Sequence, residues 1–288
     1  MKTTFYILIT ILIVLCSACD KPPSKKKADP VYSKLNDTGV TGFARETITL
    51  NESLTTYPLE SKAANSLYQT QDAGRGRDTS TKVSQQDGHG GFQFSKLDQY
   101  GQPLAEQTQT YKPDEHNWSC VLDKVTGLVW QNAKSKLGEG DDERLHNVHQ
   151  YFWYVADNSI NGLVAGTNMS PNTCNPIDDS INFACDTEDL ISYYNNSAYC
   201  GFTDWRLPSP YEAQSIMFYG VTNANDVYID QNFFPNVSQG DYWLINSSVS
   251  DTNKALTAHF ENGSFSSHSK IIDGSSSIQH RVLLVRGP

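Results

Sequence analysis

An apolar run over residues 5–15 follows Lys2 and gives way at once to polar sequence. Crossing the hydrocarbon core takes about 20 apolar residues, so this shorter run predicts the core of a secretory signal and not a membrane span. From 20 to 111 the chain is rich in Ser, Thr, Gln and Gly and shows little sustained periodicity. Within it, 91–101 (GFQFSKLDQYG) predicts a hairpin packed on whatever follows.

Beyond residue 112 the pattern sharpens. Residues 127–131 predict a short strand after a Thr-Gly turn. Over 187–199, acids in the first turn and Leu190, Ile191 and Tyr194 at helical spacing predict a helix. A second helix is signalled by Ser209 as cap, Pro210 in the first turn and Glu212 completing a capping box. Ala213, Ile216 and Met217 share its apolar face, and Gly220 marks its end. Residues 241–249 and 255–260 then predict strands, Asn262-Gly263 a hairpin turn into 264–270, and 282–286 a buried final strand. Two helices amid several short antiparallel strands predict an α+β domain.

Charge divides the chain at the same place. Residues 20–111 carry 11 basic and 11 acidic side chains, whereas 112–288 carry 10 and 21, a net −11, together with all five Trp. Large apolar groups make a core, so the folded unit is read as 112–288, after a signal at 1–18 and a polar tether at 19–111. The whole chain is at −10 with pI near 5.1. A nucleic-acid partner is thereby disfavoured, since phosphate neutralisation needs a basic surface.

Leu15-Cys16-Ser17-Ala18-Cys19 closes the apolar run. Small residues before a cysteine at this point resemble a bacterial lipoprotein signal, which implies lipidation (palmitate) of Cys19 and a membrane anchor at the cell envelope. Lys21, Lys25, Lys26 and Lys27 beside the lipid suit either anionic headgroups or a solvated linker. Four further cysteines, Cys120, Cys174, Cys185 and Cys200, favour disulfides in an oxidising compartment. Of three connectivities, local pairing of Cys174 with Cys185 leaves Cys120 with Cys200.

Five blocks then follow in order: Cys120–Asp123, 126–130 (TGLVW, ending in Trp130), 201–209 (GFTDWRLPS), Tyr242-Trp243 and 281–287 (RVLLVRG). Asp204, Trp205, Arg206, Leu207, Pro208, Trp130, Trp243 and Arg286 are the motif residues. Together they resemble the C-terminal domain of collagen-like bacterial adhesins, the Lcl C-terminal domain family. The resemblance implies a C-type-lectin-like fold, related to that of formylglycine-generating enzymes, and a role in adhesion. There is no Gly-X-Y repeat, and the family's Trp-Ser-Ser block reads Trp243-Leu244-Ile245-Asn246-Ser247-Ser248, an inserted pair or a slipped register.

Candidate chemistry is sparse. Arg206 is placed to pair with a carboxylate in bidentate fashion, and Asp204 to cap the turn that aims Trp205 inward. Calcium is the metal to consider, because lectins of the related fold use it; Asp178, Asp179, Asp226, Asp230 and Asp241 are its candidate ligands, although none forms an EF-hand loop. His146 and His149 make a weaker pair with no third ligand. No catalytic motif is present, and no cysteine follows Cys200, so the formylglycine-generating activity does not carry over.

Some collagen-like adhesins bind sulfated glycosaminoglycans, but a domain at −11 repels polyanions. A neutral glycan stacked on an aromatic, with Tyr228 and Tyr242 as candidates, fits better. The expectation is a lipid-anchored, non-catalytic protein needing no cofactor, whose domain binds a glycan or an envelope protein. A structural envelope protein with a protein partner is the alternative, and an unrecognised hydrolase the third.

Overall fold

In the computed structural model the described residues are 87–89, 91–112, 117–134, 147, 149–169, 185–221, 226–272 and 279–287. The signal, Cys19 and most of the tether lie outside them, as do Cys174, Asp178, Asp179 and His146.

Two antiparallel sheets organise the described chain. The first has the order β1 (Phe94–Leu97), β2 (Cys120–Asp123), β3 (Val129–Gln131) and β7 (Val285–Arg286). The second runs β4 (Asp241–Ser247), β5 (Lys254–His259), β6 (Ser264–Ser269). Because β1 pairs with β2 along Phe94↔Asp123 to Leu97↔Cys120, the folded unit begins before residue 112. Phe92 and Phe94 are core residues, not part of a tether.

Strand alternation explains why the sheets sit where they do. Residues of one parity, Phe94, Val121, Trp130, Val285, Tyr242, Leu244 and Ala258, enter one apolar cluster. Those of the other parity, Leu97, Cys120, Val129, Trp243 and Ala255, enter a second. Both faces of the first sheet and of the start of β4 are therefore buried, whereas β6 is exposed to half-buried; each fully buried Leu or Phe contributes about 1.5–3 kcal/mol. Trp118, Trp153, Trp205 and Trp243 each donate the indole N–H to a backbone carbonyl, so four large side chains enter the core without an orphaned donor.

Two α-helices pack on these clusters. α1 (Thr187–Asn196) is capped by Asp186, whose carboxylate accepts from the N–H groups of Glu188 and Asp189. It buries Leu190 and Tyr194 in the second cluster. It stops three residues short of the expected Tyr199, because Ala198 (φ 47°) and Cys200 (φ 52°) take left-handed conformations around a 3₁₀ turn. α2 (Pro210–Ser215) has the capping box read from its sequence, with Ser209 accepting from the Glu212 N–H and Glu212 accepting from the Ser209 N–H. It ends before Gly220, since Met217 leaves the helix to bridge Ile229. A disulfide joins Cys120 to Cys200 and ties β2 to the turn after α1. Cys185 is also half of a disulfide. Among the described residues no helix is long and apolar enough to cross a membrane.

Candidate functional site

The second sheet gathers the most chemically capable side chains. Trp243 lies opposite Thr257, and Thr257 opposite Ser266. Asp241 is two residues before Trp243 and His268 two after Ser266, so all five project from one face. The segment carrying His280 is laid beside β4: the Trp243 N–H donates to Arg281 O at 2.9 Å and the Arg281 N–H to Asp241 O at 3.1 Å. Its other side is held by Tyr151, which exchanges two backbone hydrogen bonds with His280 and takes the Trp243 indole N–H at 2.8 Å.

Asp241, His268 and His280 consequently converge, with one ligand atom from each inside a sphere of mutual distances up to 4.8 Å. Asp241 Oδ2 lies 3.4 Å from His268 Nε2. The imidazoles of His268 and His280 are 4.2 Å apart between centroids, and His280 sits 4.5 Å from the Trp243 ring. Thr257 donates to Asp241 Oδ1 at 2.9 Å and Ser266 to the same oxygen at 3.2 Å, which leaves Oδ2 turned toward the histidines.

Burial pulls the His280 imidazole down to about 4, and the neighbouring His268 pushes the same way. Burial raises Asp241, but the Thr257 hydroxyl and the surrounding histidines outweigh it and hold the carboxyl below its usual range. At neutral pH the cluster is one carboxylate with a neutral His280.

Ser266, His268 and Asp241 have the residue types of a nucleophile, base and acid. Ser266 Oγ lies 3.1 Å from His268 Nε2, the nitrogen that also faces Asp241. A relay needs nucleophile and acid on opposite ring nitrogens, so this geometry does not assemble one.

The DWRLPS block works differently. Arg206 pairs with Glu212 through two hydrogen bonds of 2.8 and 2.6 Å, which braces the capped end of α2. Asp204 does not cap the Trp205 turn. Asn195 does, accepting from the Trp205 N–H at 2.7 Å and donating to its carbonyl at 3.1 Å. Asp204 instead grips Arg286. Leu207 is fully buried, and Pro208 O accepts from the Ile245 N–H. That last bond meets β4 at an irregularity. Trp243 pairs with Thr257 but Ser247 with Ala255, so four residues of β4 match two of β5. The stretch Trp243–Ser247 is thus carried as a bulge in β4.

These motif residues lie inside a match to the Lcl C-terminal domain model over residues 119–286, more than half the chain. The chain belongs to the Lcl C-terminal domain family. No curated protein and no solved structure matches it. In this Lcl domain the family residues are therefore chiefly structural: Trp130, Trp205 and Trp243 are buried, and Arg206 and Arg286 are ion-paired.

The other expected positions separate. Tyr242 is 4% exposed, with its ring against Phe260 and its hydroxyl on Ser238, so contrary to the sequence expectation it presents no stacking face to a ligand. Tyr228 is half-buried and meets Tyr219 edge to face at 5.8 Å, beside Gly263. Asp230 is not a calcium ligand in this arrangement. It is buried and accepts from the His89 N–H and Nδ1, both at 2.9 Å, and from the Asn232 N–H. Asp226 is half-buried and joins no such cluster among the described residues. His149 is buried, while Asp178, Asp179 and His146 are outside the described residues. The histidines of the β4–β6 cluster escaped sequence reading. Strand parity in Asp241-x-Trp243 and Ser266-x-His268 was the available signal, but nothing local brings β4, β6 and residue 280 together.

Proposed function

We propose that this protein is a bacterial lipoprotein, anchored through Cys19, whose Lcl domain is a non-catalytic recognition module for neutral glycans at the cell envelope. Membership of a family founded on a collagen-like adhesin carries this reading. The domain's acidic balance supports a neutral ligand over a polyanion. The Tyr219–Tyr228 pair supplies the aromatic surface: both rings are partly exposed and fixed by the hairpin turn, where the Tyr219 hydroxyl donates to Gly263 O at 3.0 Å. A sugar ring laid on Tyr228 buries its apolar face there.

The test uses the full chain extracted from membranes, applied to a panel of neutral and sulfated glycans. Selective, saturable binding to a neutral glycan, weakened about tenfold by Tyr228→Ala through loss of stacking area, is the expected result. Binding only to a co-purifying envelope protein, with no glycan retained, would replace this reading with the structural-partner one. Labelled palmitate entering the wild type but not Cys19→Ala is expected for the anchor; equal labelling of both would remove it.

A further inference from the structure

We propose that Asp241, His268 and His280 form a divalent transition-metal site, taking zinc in preference to calcium and leaving one coordination position open. Two imidazole nitrogens and one carboxylate oxygen are the donor set that zinc accepts, whereas calcium takes six to eight oxygens and imidazole nitrogens suit it poorly.

The spacing is close to that of a bound site. A tetrahedron with metal–ligand distances of about 2.0–2.1 Å has edges of about 3.3–3.4 Å. The Asp241 Oδ2 to His268 Nε2 distance of 3.4 Å already equals such an edge. All three ligand atoms lie within 4.8 Å of one another, and the His268 side chain is 30% exposed.

The surroundings are those of a ligand set. Thr257 and Ser266 hold Oδ1 of Asp241, so the carboxylate is oriented by hydrogen bonds and presents its second oxygen, as outer-shell partners of metal ligands do. His280 is fixed between Tyr151 and Trp243, and its Nε2 is shut off from water with no hydrogen-bond partner. Buried polar atoms are ordinarily paired, and a core histidine would carry that deficit permanently. Three protein ligands leave room for a water or for an oxygen of an external ligand. The site does not rest on the glycan reading, since the Tyr219–Tyr228 pair uses none of its residues.

The experiment is calorimetric titration of the chelator-stripped full chain with zinc chloride, and in parallel with calcium chloride. One zinc per chain is expected, bound at least about tenfold more weakly in Asp241→Asn and in His268→Gln, and unchanged in His146→Gln. Thr257→Val, which removes only the orienting hydroxyl, is expected to weaken zinc by about tenfold. Melting of each variant in chelator shows whether it is folded. Should the ligand variants fail to fold, cobalt(II) added to the wild type decides, an intense tetrahedral spectrum being expected. A spectrum that remains that of the hydrated ion, no stoichiometric zinc uptake, a preference for calcium, or uptake untouched by both ligand variants would each overturn the site.

Discussion

Asp204 and Arg286, 82 residues apart, meet through two parallel hydrogen bonds of 2.9 Å, and the guanidinium lies 4.2 Å over the Phe202 ring. The DWRLPS block is thereby clasped to the last strand, β7, which also pairs with Arg206 through the backbone at Val285. The clasp is partly exposed, so its contribution is modest despite its geometry. Asp204→Asn is expected to lower unfolding free energy by about 0.5–1 kcal/mol, and less in high salt, where the pair is screened. Urea unfolding at two ionic strengths measures both effects.

The Arg206–Glu212 pair should matter more, because Glu212 is nearly buried and also caps α2. Burial alone would raise the Glu212 carboxyl, but two hydrogen bonds from Arg206, its charge and the Ser209 N–H hold it below the usual carboxylate range. A depressed folded pKa stabilises above the unfolded value of about 4.3 and loses that stability as pH falls through the folded value. Glu212→Gln is expected to cost about 2–3 kcal/mol at neutral pH and to flatten the acid limb of stability against pH.

His89 shows the opposite sign. Its hydrogen bond to Asp230 raises its pKa, with burial opposing and the Asp230 charge assisting. The stabilisation is therefore fully present below about pH 6.5 and lost as pH rises through the folded value. Wild type should lose stability between pH 5.5 and pH 8.5 relative to His89→Gln; an identical pH dependence in the two would remove the ion pair as its cause.

The Cys120–Cys200 disulfide closes a loop with a sequence separation of 80. Chain entropy for such a loop predicts that the double variant Cys120→Ala, Cys200→Ala loses about 4–5 kcal/mol. Denaturation of wild type and variant under oxidising conditions tests this.

Gly263 occupies φ +66°, and a Cβ there would stand 2.5 Å from Tyr219 Cε1 and 3.1 Å from Tyr228 Cδ1. Gly263→Ala is expected to cost about 1–3 kcal/mol from the left-handed backbone and the clash together. By displacing the tyrosine pair it should also reduce glycan retention, read on the same panel as Tyr228→Ala.

The limits of sequence reading show at particular residues. The α2 capping box, Ser209 with Glu212, was visible because its partners are three residues apart and their roles are local. The Arg206 carboxylate partner was foreseeable in kind but not in name. Tyr242 and Tyr228 look alike in sequence, yet Tyr242 is buried within β4 and Tyr228 sits beside a turn. The 91–101 segment reads as a hairpin packed on the domain, and its pairing with β2 builds it into the core.

By itself, then, the sequence determined the local elements, the α+β class and the family, because caps, alternation and turn residues act over a few positions and the motif blocks stand in a fixed order. Only the tertiary structure decided that Asp241, His268 and His280 meet, that Asp204 serves Arg286 while Asn195 serves Trp205, and which tyrosine stays at the surface. Those relationships join residues from 10 to 82 positions apart. They follow from packing sheets, helices and loops against one another, a condition on the whole chain and not on any stretch of it.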